Sequence, residues 1–313
     1  SELAANWTSK GLAAPDLAGL IPTGAGLALQ ASYMADNPNP QGRRIEAMTI
    51  SGANREYDSL HRIMHPSLGG YVKAWDLYDL FLVDNAGNVV YTAFKESDFG
   101  NDLRHGALAA SNLANAVAKA SGLPEGSAVL SDIARYLPSY DVPALFVASP
   151  VFADGKRLGV VALQLNITDL DAIMTFDRGW KDVGLGATGE LLLLDEQGTL
   201  LNRCRLEHED PKAFLSVANA AGIPSKDLAL IEAVGSSALA FRLPDVGSAK
   251  SDKTIKDYLG RRSVVSVVPI SVEGKNWEIV SLRTEAEILA PVADLRRRMF
   301  LSALAVVVVV GVG

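Results

Sequence analysis

The stretch that most constrains this chain is residues 78–103, YDLFLVDNAGNVVYTAFKESDFGNDL, which reads as a strand, a tight turn, a second strand and a charged departure. A period of two puts Tyr78, Leu80 and Leu82 on one side of the first run and Asp79, Phe81 and Val83 on the other, so both faces are partly apolar. Asp84-Asn85-Ala86-Gly87 then supplies short side chains that bond their own backbone and a glycine that accepts positive φ. Residues 89–94 are rich in β-branched and aromatic side chains, and the whole pattern predicts a β-hairpin.

Residues 1–75 predict a helical stalk, with Leu12, Leu17, Leu20, Leu27 and Leu29 among alanines and a break at Asn37-Pro38-Asn39-Pro40. From Asn54 a second helical stretch places Tyr57, Leu60, His61, Met64 and His65 on one face. Two histidines four apart can bind a metal, but the glutamate and third ligand of a zinc-hydrolase motif are missing, which favours packing or hydrogen bonding of these imidazoles. After the hairpin, Asn101-Asp102 predicts a helix cap, with Leu108, Leu113, Ala116 and Val117 facing inward as far as Ala120. A polar, aromatic segment at 131–141 precedes strands at 144–152 and 158–165, and a short helix at 169–176 closes an α+β module built on an antiparallel sheet. The plan recurs with strands at 189–194 and 199–203, helix over 212–234, strands at 262–270 and 277–282, and a final helix from 284 to about 298.

Composition enters as a set of exclusions. A net charge of -7 with no clustered basic face argues against a nucleic-acid surface, and the one dense basic run is Arg296-Arg297-Arg298. The single cysteine, Cys204, excludes an intramolecular disulfide and any cysteine-based zinc cluster. There is no Gly-x-Ser-x-Gly elbow, and Gly184 to Gly189 lacks the Lys-Ser/Thr pair of a phosphate loop, so it reads as a turn into the next strand. Asp79, Asp84, Glu96 and Asp98 could pair for acid-base work, but surface turns explain them better. No enzyme, cofactor or metal site is expected. The uncharged run 299–313, MFLSALAVVVVVGVG, falls short of the roughly 20 residues that span a bilayer. It is expected to be the start of a transmembrane segment.

Seven stretches in order, LQASYMADNPNP, YDSLHRIMHP, the hairpin itself, YLPSYDVPALFVASPVF, GVVALQL, GLGATGELLLLDEQGTLL and NWEIVSLRTEAEILAPV, resemble the double Cache sensor domains of bacterial chemoreceptors, sensor kinases and nucleotide cyclases. The resemblance implies an α+β fold: a long N-terminal helix and connecting helices over 1–75, two tandem PAS-like modules at 76–180 (membrane-distal) and 181–283 (membrane-proximal), and a helix into the membrane over 284–313. It further implies an inner-membrane receptor with this region periplasmic, a homodimer, a small-molecule ligand in the distal module and a cytoplasmic effector beyond this chain. Amino-acid-binding members carry an Arg-x-Trp-Tyr signature and an Asp on the last distal strand; here the signature is missing and Gln164 stands at the Asp position.

The candidate ligand contacts are Tyr91 and Lys95, with Glu96, at the end of the hairpin, Asp132, Tyr136, Ser139 and Tyr140 in the middle segment, and Phe146 and Gln164 on the later strands. Aromatic rings can sandwich a ligand, and an uncharged Gln offers both donor and acceptor. The bland alternative makes Tyr91 and Phe146 ordinary core and Lys95-Glu96 a solvated exit from a strand. The competing function is a membrane-anchored structural or partner-binding domain with no ligand.

Overall fold

In the computed structural model, which describes residues 2–10, 17–48, 55–237 and 253–312, the hairpin forms as its alternation predicts. β1 (Asp79–Asp84) pairs antiparallel with β2 (Val89–Thr92), and the turn is held by Asp84 Oδ1, which accepts from the amides of Ala86 at 2.9 Å and Asn88 at 2.8 Å. A bulge after Leu82 shifts the register from Leu82↔Tyr91 to Val83↔Val89. One extra residue on the β2 side reverses facing. Val89 therefore packs with Phe81 and Val83, whereas Tyr91 packs with Leu80 and Leu82 on the opposite face.

The chain divides into two units, Ser1–Leu170 with Ser225–Leu239 and Ser271–Lys275, and Asp171–Pro224 with Ala240–Ile270 and Asn276–Gly313. In the first unit the sheet runs in the order β2-β1-β6-β5-β3, where β3 is Val129–Leu130, β5 is Val142–Ala153 and β6 is Lys156–Leu165; β4 (Ala134–Tyr136) also pairs with β5. One face is covered by α4 (Asn112–Ala120), whose Leu113, Ala116, Val117 and Ala120 join Phe81, Phe146, Val160 and Ala162 in the main core. The other face carries Leu80, Tyr91 and Ala93 against Ile45 and against Val72 of α3 (Arg55–Ala74).

The predicted N-terminal stalk is a succession of pieces: α1 (Glu2–Ser9), α2 (Gly24–Gln30) running into a π-helical turn at Ala31–Ala35, and α3. Leu12 and Asn54 lie outside the described residues. α2 is seated backbone against backbone, since a Cβ on Gly26 would fall 2.2 Å from the carbonyl oxygen of Gly100. The helix predicted from Asn101 begins only at Asn112, capped by Ser111, which accepts from the Ala114 amide. Asn101 is spent elsewhere: its Nδ2 donates to the Leu20 and Ser97 carbonyls, while Asp102 folds the next residues into a turn by accepting from the Arg104 amide.

The second unit is built on an antiparallel sheet of order β7-β10-β9-β8, with β7 Glu190–Leu194, β8 Lys253–Lys256, β9 Arg262–Val272 and β10 Lys275–Thr284. The strand predicted at 199–203 is reduced to a bridge at Leu200, because the Asn202 side chain takes the Leu193 amide at 2.7 Å in place of a ladder bond. α6 (Arg205–Glu209) and α7 (Pro211–Ala220) belong to the second unit, α8 (Ser225–Val234) to the first, and α5 (Ile167–Thr175) has residues in both; α9 (Glu285–Val312) is the closing helix of the second unit. The first turn of α9 is clamped: Glu287 accepts from the amides of Ala187 and Thr188 at 2.8 Å each, from the Thr188 hydroxyl, and from Arg283. Those bonds hold its carboxyl down at about 2. Among the described residues no helix is long and apolar enough to cross a membrane.

Candidate ligand-binding site

The site grows from the first residue of β1. Asp79 lies across from Gln164 on β6, and Gln164 lies across from Phe146 on β5, so a carboxylate, an amide and a ring share one row of the sheet. Asp79 Oδ1 accepts from the amides of Leu80 at 2.7 Å, Ala93 at 2.8 Å and Phe94 at 3.2 Å. The carboxylate thus caps the chain as it leaves β2. Thr92 Oγ1 then accepts from the Lys95 amide at 2.8 Å, and Lys95 adopts φ 57°, a left-handed conformation unusual for a residue with a Cβ. This tight turn drives both following side chains inward, and Lys95 and Glu96 are 1% and 5% exposed.

Lys95 Nζ donates to the Thr92 carbonyl and sits 4.1 Å from the centre of the Tyr91 ring, with Phe99 at 5.4 Å and Tyr33 at 6.0 Å. Such a ring-lined seat suits a cation. Glu96 accepts from the Tyr78 hydroxyl at 3.2 Å and from Ser139 at 3.1 Å, and Gln164 Nε2 donates to Ser139 at 3.1 Å. Asp98 accepts from the Tyr136 hydroxyl at 3.0 Å. One oxygen of Asp79 (Oδ2) and one of Asp98 (Oδ1) are buried with no hydrogen-bond partner among the described residues.

Burial dominates the electrostatics. It pushes Asp79 up to about 6 against the pull of three amides and Lys95, and pushes Asp98 up to about 7 with help from the Asp79 charge. Glu96 is raised well above the usual carboxylate range by burial and then by Asp98 and Asp79. Lys95 falls to about 7 because desolvation outweighs the attraction of Asp79.

Two cavities open beside this cluster. The first, about 310 Å³, is bounded by Tyr78, Phe94, Glu96 and Tyr140, with Gln41, Leu77 and Asn166 also lining it. The second, about 520 Å³, is lined by Leu27, Gln30, Met34, Arg44 and Ser97. Tyr140 and Asp141 both have positive φ, 61° and 58°, so the segment beside the first cavity is strained as well as the Lys95 turn.

A family profile for the Cache domain matches residues 54–292. The chain belongs to the Cache domain family. Among curated proteins none matches it. The Cache chain is similar to the ligand-binding domain of the Pseudomonas aeruginosa PAO1 amino acid chemoreceptor PctB in complex with L-Arg, at 19% identity over 72% of this chain and 76% of that one, TM-score 0.45. It is also similar to that of the Pseudomonas fluorescens chemoreceptor CtaA in complex with L-leucine, at 16% identity over 82% and 83%, TM-score 0.42. A third is the Pseudomonas aeruginosa PAO1 amino acid chemoreceptor PctC in complex with GABA, at 16% identity over 74% and 83%, TM-score 0.42.

Of the residues singled out in the sequence, this Cache domain brings Lys95, Tyr136, Ser139 and Gln164 into one buried cluster and sets Tyr140 on the wall of the first cavity. Three are placed apart from the cavities. Tyr91 lies on the α3 face, where its hydroxyl meets His65 Nδ1 at 2.7 Å. Phe146 is fully buried in the main core, edge-on to Tyr136 at 5.0 Å. Asp132 has a 75% exposed side chain and pairs with Lys275. The surface-turn reading holds for Asp84 and is overturned for Asp79, Glu96 and Asp98, all of them buried. His65 spends both ring nitrogens, donating from Nε2 to the Ile45 carbonyl at 2.7 Å, and His61 stacks on it at 4.3 Å. Among the described residues no cluster of metal-binding type occurs.

Proposed function

We propose that this Cache chain is the extracytoplasmic, non-catalytic sensing part of a bacterial transmembrane signalling receptor, and that a small molecule binds in the membrane-distal module, residues 76–180. The observation that carries this reading is a set of ionisable side chains, Asp79, Lys95, Glu96 and Asp98, buried together beside a cavity, with two carboxylate oxygens unpartnered among the described residues. Unpaired buried charge destabilises a fold, so a packed core without a ligand gives no reason to keep it. Glu96, Ser139, Gln164 and Tyr140 are the proposed ligand-side residues, and Lys95 and Tyr136 hold the surrounding network.

Binding would favour one of two arrangements of the domain, and the free energy passed onward is the difference in affinity for the two. α9, which continues into the uncharged run 299–313, is the proposed route to the membrane, in a homodimeric receptor whose module 181–283 is membrane-proximal. The test is a thermal-shift screen of amino acids, amines, carboxylates and purines on the chain. A ligand specific to the native state raises the melting temperature, by an amount that grows with its concentration. No stabilising compound across a broad library would sink the sensor reading in favour of a ligand-free structural domain.

A further inference from the structure

The charge pattern around the first cavity selects a class of ligand. Among the described residues Glu96 is the one charged residue on its walls, which also carry the aromatic residues Tyr78, Phe94 and Tyr140. Neither nearby cation is offered to this space. The Lys95 ammonium is turned back onto the Thr92 carbonyl and the Tyr91 ring, and Arg44 donates to the Lys95 carbonyl at 3.2 Å and lines the second cavity. Behind Glu96 stand Asp98 and Asp79, each close enough to act on it electrostatically and each with an unpartnered buried oxygen. Three buried carboxyls thus face one buried ammonium.

A carboxylate in the ligand would be buried here beside acids, with no cation to pair it. A neutral ligand would leave the acids as they are. An ammonium group answers both the carboxylate and the ring faces, since aromatic quadrupoles attract cations and shelter carbon. Tyr140, on the wall, and Lys95, next to Glu96, both hold left-handed backbone, as expected where a site is held open against local preference.

We propose that the cavity bounded by Tyr78, Phe94, Glu96 and Tyr140 takes a small organic ammonium ion lacking a carboxylate, its charge against Glu96 and its carbons against the three rings. This rests on the sensor reading above and narrows it. Burial and the neighbouring carboxyls favour the neutral form of Glu96, and an entering cation favours the ionised form, so binding draws protons from this carboxyl to solvent. The groups facing Glu96 are Tyr78 just before β1 and Asp79 at its start, Lys95 and Asp98 from its own segment, Tyr136 and Ser139 from β4 and the turn after it, and Gln164 from β6.

The experiment is isothermal titration of the whole chain at pH 7 with n-butylamine, 1,4-diaminobutane and tetramethylammonium, against γ-aminobutyrate and butyrate, in two buffers of different ionisation enthalpy. At least one of the three cations should bind with proton release. Glu96→Gln should weaken it at least tenfold and abolish the proton release, while Glu125→Gln, on the exposed stretch after α4, leaves it unchanged. Tyr140→Leu, which keeps Glu96 and its bonds from Tyr78 and Ser139, should also weaken it and serves if Glu96→Gln does not fold. Cation binding indifferent to both variants overturns the placement. Binding of γ-aminobutyrate or butyrate but of no cation overturns the ligand class and leaves the sensor reading standing, whereas no ligand in this set or in the broad screen removes both.

Discussion

Asp98→Asn offers the sharpest quantitative test of the buried cluster. Asp98 is 1% exposed and receives one hydrogen bond, from Tyr136, while its other oxygen has no partner among the described residues. A rise from 3.8 to about 7 corresponds to roughly 4 kcal/mol, at about 1.4 kcal/mol per pH unit. A carboxyl raised in the native state keeps a proton that the unfolded chain has lost. Its contribution is therefore intact below about pH 4 and is lost as pH climbs through 7. Asparagine keeps the shape and the oxygen that Tyr136 needs but cannot ionise. Urea unfolding at pH 5, 6, 7 and 8 should then show the variant gaining on the wild type by about 1.4 kcal/mol per pH unit up to 7 and levelling off above. Asp79 and Glu96 titrate in the same direction, and His61 and His65, lowered to about 3 and 4, oppose them below pH 6.5. Asp79 and the two histidines are common to both proteins and largely cancel in the difference, whereas Glu96, which the Asp98 charge also raises, is relieved in the variant and adds to its gain. A gap that stays constant from pH 5 to 8 would refute the claim that ionising Asp98 burdens the fold.

Three other outcomes follow from the packing and the clamp. Phe146→Ala, at a fully buried ring touching Tyr136 and Phe81, should lower the unfolding free energy by about 3–5 kcal/mol, and a loss under about 1 kcal/mol would contradict its place in the core. Gly26→Ala puts a methyl 2.2 Å from the Gly100 carbonyl oxygen, so it should cost about 1–3 kcal/mol and make residues 24–30 easier to cleave in limited proteolysis; an unchanged melting temperature would count against the close approach. Glu287→Gln should speed hydrogen exchange at the Ala187 and Thr188 amides, and in the wild type the same loosening should set in as pH falls from about 4.5 toward 2, because a depressed carboxyl stabilises only while ionised. Equal exchange in the two proteins at pH 7 would show that the clamp is not formed in solution.

The hairpin was legible because its information is local: Asp84 bonds its own turn and the strands alternate. The bulge after Leu82 was not, since nothing in VDNAGNVVY marks which residue is left over, and it decided that Tyr91 would face α3. Lys95-Glu96 read equally well as a solvated exit, because their burial depends on a cap supplied from Asp79, far back in the chain, and on the Thr92 hydroxyl. One signal for the missed carboxyls was present. Asp79 falls on the same face as Phe81 and Val83, and a charge on a core face asks for a partner. The late start of α4 and the lost strand at 199–203 share a cause, in that Asn101 and Asn202 spend their amides on distant or neighbouring backbone that helix and ladder would otherwise have used. Of the middle segment, Tyr136 and Ser139 are buried and Asp132 is exposed, a difference that rests on the register of β4 on β5 and that composition does not carry.

The grip of Glu287 on the 184–189 loop also has a mechanical meaning. A helix attached through one peptide link could swivel there and dissipate any movement of its module. Three bonds from the loop and one from Arg283 on β10, all to one carboxylate, remove that bearing, so α9 behaves as a lever keyed to the loop. With 28 residues its arm is roughly 40 Å, and a tilt of about 5° at Thr284 becomes a sweep of roughly 3–4 Å at the far end.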